Sequence, residues 1–236
     1  VKGSSIARES NYVLYTHAGP EIAVASTKAY TVQAAIFYLI ACQLGLTRKK
    51  ICLNDAKEFI RNLYSVSDHI TDILKISDKI ESLTRRMINA TNTFFIGRGI
   101  DSAVCMEGSL KLKEISYTHS ESYSAGELKH GTISLVENGT PVIAIATNDE
   151  LFEKTVSNLK ETKARGAYSI FVTTDNHKGY NFDEFADKLI MLPKTNEFIQ
   201  EILVVVTLQL IAYEVAKLRG CDIDKPRNLA KSVTVE

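Results

Sequence analysis

The chain has no excess charge of either sign: among its 236 residues, 28 Lys and Arg balance 28 Asp and Glu. That excludes a global field able to gather nucleic acid or anionic membrane, and no arginine-rich or aromatic-interleaved basic stripe takes its place. Cysteine is scarce. Cys42, Cys52, Cys105 and Cys221 form no C-x-x-C pair and have no His at zinc-ligand spacing, which implies reduced, mostly buried thiols, no disulfide, no structural zinc and a cytoplasmic setting. Long apolar runs are missing too. The longest, Ile202 to Tyr213, is interrupted by Thr207 and Gln209 and is about half a bilayer span, and the N-terminus has no signal-peptide pattern, so no membrane partner is expected. No ligand cluster points to a metal or redox cofactor.

What is present is patterned for a core, with 45% of residues hydrophobic. Apolar runs at 93–96, 141–146, 169–173 and 189–192 read as buried strands, and they alternate with helical patterns at 150–163 and 196–218. Continuous apolar strands separated by helices imply an α/β fold, a parallel sheet covered on both faces. After the first strand comes Gly97-Arg98-Gly99-Ile100-Asp101-Ser102, a strand, glycine turn and helix of the kind that presents a ligand to a helix N-terminus. Ser102 stands where a dinucleotide fingerprint has its third glycine, so a tight turn without a ligand explains this stretch equally well.

Ahead of this unit, residues 47–92 interleave Lys, Glu and Asp with Ile, Phe and Leu and predict two amphipathic helices, whose charges are solvated faces without chemistry. Tyr12 to Tyr15 reads as a short strand, His17-Ala18-Gly19-Pro20 as a turn, and Glu21 to Lys28 as the opening of an apolar helix running through Leu44. Hydroxyls at that helix entrance either hold a polar ligand or serve as plain N-caps. The opening Val1-Lys2-Gly3-Ser4-Ser5, without Met, reads as the inside of a longer chain.

The densest chemistry lies between Glu107 and Gly131. Val104, Leu112 and Ile115 share one helix face, and Glu107, Lys111 and Glu114 share another. His119, Glu121, Glu127, Lys129 and His130 follow within a polar, glycine-punctuated stretch. Such a set can move protons on a small polar substrate, and the same spacing also describes a solvated face held by charge pairs of a few tenths of a kcal/mol.

Four segments decide between these readings: Ala23-Val24-Ala25-Ser26-Thr27-Lys28-Ala29-Tyr30, Leu110 to Ser116, Gly126-Glu127-Leu128-Lys129-His130-Gly131, and Pro226-Arg227-Asn228-Leu229-Ala230-Lys231 through Glu236. Together they closely resemble the glutamine:fructose-6-phosphate amidotransferase family over nearly the whole chain. The resemblance implies a flavodoxin-like, sugar-isomerase (SIS) fold. Residues 1–46 would be the end of a first subdomain, 47–90 a helical linker, 91–218 a second subdomain and 219–236 a tail or lid. It also implies an isomerase part that converts fructose 6-phosphate and glutamine-derived ammonia to glucosamine 6-phosphate without a cofactor. The implied partners are a sugar phosphate, a glutaminase domain on the full-length chain and a second copy in a homodimer.

Carried onto this sequence, Glu114 resembles the base that moves a proton between C1 and C2, with Lys111 as its charged neighbour. His130 resembles a ring-opening acid/base supplied across a dimer interface. Lys231 resembles the amine that forms a Schiff base with the open-chain ketose, and Val24 and Ser26 resemble substrate contacts. The family's Ser- and Thr-rich phosphate loop and its glutaminase domain have no counterpart here. Thr132 and Tyr30 stand where many members have Pro and Phe, and neither change removes a reactive group. The competing readings are a non-catalytic sugar-phosphate sensor, a simple isomerase without amination, and an inert remnant. None of the three needs Glu114, His130 and Lys231 together.

Overall fold

A computed structural model describes residues 2–231. Five parallel strands form a single sheet: β1 (Asn92–Gly97), β2 (His119–Ser124), β3 (Pro141–Ala146), β4 (Tyr168–Thr174) and β5 (Lys188–Leu192). Their spatial order is β2-β1-β3-β4-β5, the flavodoxin-like arrangement, in which the chain reverses direction of travel between β1 and β3. The α/β expectation is met. β3 and β4 are buried at every position, which is why they read as continuous apolar runs rather than alternating ones.

Helices α1 (Ser5–Glu9), α2 (Lys28–Thr47), α3 (Leu53–Lys75) and α4 (Ser77–Thr84) precede the sheet. Within it lie α5 (Ile100–Ser116) and α6 (Phe152–Lys163), and α7 (Glu197–Leu218) follows. The two amphipathic helices expected between 47 and 92 are α3 and α4. A capping box opens α3: Asp55 N–H donates to Cys52 Sγ and Cys52 N–H donates to the Asp55 carboxylate. α7 is long and apolar enough to cross a membrane, but most of it is buried against the sheet and α5, as the core helix of a globular fold is. Gly108 makes that packing possible, since a Cβ there would sit 2.5 Å from Leu208 Cδ1 and 3.1 Å from Phe95 Cε1.

Two expectations fail at the N-terminal end. Tyr12 to Tyr15 forms no strand, because no neighbouring strand pairs with it, and all four side chains are exposed. Glu21 to Thr27 is not the first turns of a helix but a loop, with α2 beginning at Lys28. The polar stretch after α5, to which the sequence assigns no element, contains the edge strand β2, registered along its whole length on β1.

Candidate active site at the C-terminal end of α5

Glu107, Lys111 and Glu114 do lie on one face of α5, but that face is not solvated. Lys111 is 4% exposed and Glu107 9%. A buried ammonium must be paired, and Lys111 Nζ lies 2.5 Å from Glu114 Oε2 and 3.6 Å from Glu107 Oε1. Burial pushes the Glu107 carboxyl above its ordinary value, Lys111 opposes this and Glu114 adds to it. Glu114 is half-buried. The row thus runs from a deep acid through a buried cation to a carboxylate within reach of solvent.

α5 ends at Tyr117, which takes a left-handed conformation with φ +60°. This residue is the platform for the C-terminal tail. The Arg227 backbone N–H donates to Tyr117 Oη at 2.8 Å, and the Arg227 guanidinium lies over the ring at 4.2 Å from its centroid. Pro226 is buried beside it. A second tie comes from Val24, whose N–H donates to the Asp224 carbonyl at 2.9 Å. The tail therefore bridges the end of α5 and the loop before α2.

Lys231 completes the bridge. Its Nζ donates to Glu21 Oε2 and the Ala23 carbonyl, both at 3.1 Å, and to the Val24 carbonyl at 3.4 Å, with Ser26 Oγ at 3.5 Å. Glu21 holds the loop together, accepting also from Thr27 N–H at 2.7 Å and Ser26 Oγ at 3.3 Å. Partial burial raises its carboxyl, but the Thr27 hydrogen bond and the Lys231 ammonium outweigh burial and hold it below the usual range.

Of the residues singled out from sequence, Glu114 and Lys111 are brought into contact, and so are Lys231, Val24 and Ser26. Val24 and Ser26 sit in the loop rather than at a helix start, and the free N–H groups imagined there are partly taken by Asp224 and Glu21. His130 is not joined to either group. It lies exposed in the 3₁₀ turn Leu128–His130, and its imidazole has no hydrogen-bond or ion-pair partner among the described residues. The part of the tail motif from Ser232 to Glu236 lies outside the described residues. Glu21, Tyr117 and Asp224 were missed by sequence reasoning, since nothing in their local pattern announces a partner far along the chain.

The glycine turn after β1 packs tightly on the start of α5, where a Cβ at Gly97 would lie 2.7 Å from the Asp101 backbone. Asp101, in the first turn of α5, accepts from Thr147 N–H at 2.9 Å and Thr147 Oγ1 at 2.6 Å, which ties the start of α5 to the residue that follows β3.

The SIS domain profile matches residues 86–219. The chain belongs to the SIS domain family. Over its full length it is 52% identical to a glutamine–fructose-6-phosphate aminotransferase [isomerizing] from Caldanaerobacter subterraneus subsp. tengcongensis and 46% identical to one from Methanosarcina acetivorans, in each case spanning 38% of the relative's length. Among solved structures, the C-terminal domain of glucosamine-fructose-6-phosphate aminotransferase from Francisella tularensis superposes with a TM-score of 0.90 at 36% identity, over 96% of this chain and 63% of that one.

Proposed function

We propose that this SIS chain is the isomerase part of an amidotransferase that makes glucosamine 6-phosphate from fructose 6-phosphate and glutamine-derived ammonia. The observation that carries the reading is the tail, which anchors Arg227 on Tyr117, three residues beyond Glu114, and extends Lys231 onto the 21–26 loop. The tail is thereby tied at Arg227 to the end of α5 that bears Glu114 and at Lys231 to the loop before α2. The names borne by the full-length relatives support the same assignment.

In this reading the Lys231 amine attacks the C2 carbonyl of the open-chain ketose, and loss of water leaves an imine. Lys231 must first shed a proton to become nucleophilic; its half-exposed ammonium gives that proton up to water, while Glu21, at 3.1 Å, positions the amine. Glu114 then carries a proton between C1 and C2, a step worth roughly 10² to 10⁴ in rate for a well-placed base. Lys111, held on Glu114, steadies that carboxylate. His130 opens the sugar ring, reaching the site of a second copy from its exposed turn in a homodimer. Ammonia from a glutaminase domain carried by the remaining length of the full protein adds at C2 of the Lys231 imine and expels the lysine amine before the proton transfer, so the shift from C1 to C2 yields the 2-amino aldose, and the enzyme works in the cytoplasm. A sugar-phosphate sensor would have no use for a lysine buried between two carboxylates.

Borohydride reduction in the presence of fructose 6-phosphate, followed by peptide mass spectrometry, tests this directly. A hexose-phosphate adduct on Lys231 is the expected result. A folded chain that binds the sugar phosphate without giving any adduct would overturn the amidotransferase reading and favour the sensor.

A further inference from the structure

A second site lies elsewhere in the fold. α2, α5 and α7 line a half-open pocket of about 160 Å³. Tyr30 and Tyr38 of α2, Ile100 and Val104 of α5, and Glu201 and Val205 of α7 form its walls. The unpartnered polar side chain in this lining is Glu201. It is 4% exposed, and its Oε2 has no hydrogen-bond partner among the described residues. No Lys or Arg among them pairs with it. A buried carboxyl left in this state costs free energy that any apolar residue of the same size would avoid. Nothing in the packing of α7 requires an acid at this position.

The surroundings restrict what could satisfy it. Asp101 lies close enough for its charge to add to the effect of burial on Glu201, and burial together with Glu201 pushes the Tyr38 phenol up to about 12. The Glu201 carboxyl therefore keeps its proton, and none of the residues lining the pocket is a Lys or Arg that could hold a phosphate or carboxylate. Two tyrosine rings favour a cation, and the remaining wall is hydrocarbon.

We propose that this cavity binds a small primary amine with an apolar body, its ammonium seated against the Glu201 carboxylate and its hydrocarbon part between Tyr30, Tyr38 and Val205. On binding, a neutral amine takes the proton from the Glu201 carboxyl, leaving an ion pair with no net change of charge. Cavities of about 150 Å³ accept benzene, so a one-ring amine is the right scale of probe. The site uses none of Glu114, Lys111, His130 or Lys231 and stands independently of the proposed reaction.

The test compares benzylamine with benzyl alcohol, which keeps the ring and removes the charge. The 236-residue chain is labelled at the glutamate side-chain carboxyl carbon, and each compound is titrated by NMR. Benzylamine should shift the Glu201 signal saturably and bind at least about tenfold more tightly than the alcohol (~1.4 kcal/mol). Glu201→Gln, checked for folding by its melting temperature, should lose that preference. Val205→Phe, which fills the cavity and leaves the carboxyl in place, should lose binding of both compounds. Equal binding of amine and alcohol, an unchanged preference in a folded Glu201→Gln, or no saturable shift with millimolar benzylamine would each overturn the proposal.

Discussion

Lys231 and Glu21 stand 210 residues apart in the sequence and 3.1 Å apart in the structure. Their contact joins the last described residue to the loop that precedes α2. The Lys231 ammonium stays half-exposed while the Glu21 carboxylate is largely covered, and with one end in water the pair adds little to global stability, of order 0–1 kcal/mol. Its effect is to place an amine.

Glu21→Gln should therefore leave the melting temperature nearly unchanged while loosening the tail. Hydrogen exchange at residues 222–231 should accelerate, and borohydride trapping at Lys231 should fall. The same contact has a defined pH dependence. The Glu21 carboxyl is held below 4.5 when folded, so its contribution is complete above that value and is lost as pH falls through the lower, folded pKa. Tail exchange in the wild type should approach that of Glu21→Gln only in that acidic window.

Glu114→Gln should stop proton exchange at C1 of the sugar, a loss of roughly 10² to 10⁴, while sugar binding stays nearly intact. Loss of binding and exchange in equal measure would count against a base role. Exchange of the C1 proton with deuterated solvent, read by NMR, separates the two.

Lys111→Met should be far more damaging to the fold. It leaves Glu107 buried with no cation, a situation that costs about 3–5 kcal/mol. Chemical denaturation should show a lower midpoint, and adding Glu107→Leu should recover much of the loss, because removing both charges is cheaper than stranding one.

Glu201 makes stability fall with pH. Burial, with the charge of Asp101 behind it, pushes this carboxyl from 4.5 up to about 9. Above pH 4.5 the unfolded chain gives up the proton while the folded chain keeps it, so folding loses stability until the folded pKa is passed. Glu201→Gln removes this dependence. Its melting temperature should rise relative to wild type across that window, by the equivalent of about a few kcal/mol at the alkaline end.

Gly108→Val should disrupt the contact between α5 and α7. Its Cβ would meet Leu208 and Phe95 at 2.5–3.1 Å, and overpacking of this kind costs about 1–3 kcal/mol. Leu208→Ala in the same background should restore part of the loss if the clash is the cause.

Most of the sheet is legible in the sequence because its strands are buried on both faces, and Val142 to Ala146 can hardly be read otherwise. β2 is not, since His119-Ser120-Glu121-Ser122-Tyr123-Ser124 is an edge strand whose side chains are mostly half-exposed, and only its pairing with β1 makes it a strand. Tyr12 to Tyr15 is the reverse case, a strand-like composition with nothing to pair with. The grouping of Glu107, Lys111 and Glu114 follows from helical spacing alone. Their burial does not, because side-chain periodicity places residues on a face without saying what will cover it. The ties of the tail to Tyr117, Val24 and Glu21 depend on tertiary closure, and only the family resemblance directed attention to Lys231.

Asp101 has a consequence for how α5 is held on the sheet. In folds of this topology the crevice between the tips of β1 and β3 is where a helix start offers its N–H groups to a nucleotide or phosphate. Here a carboxyl rooted in α5 itself grips Thr147 across that crevice, and the Lys194 ammonium holds the Thr147 carbonyl from the other side. The first turn of α5 is thereby latched to the tip of β3 by two hydrogen bonds laid across the point where the strand order reverses.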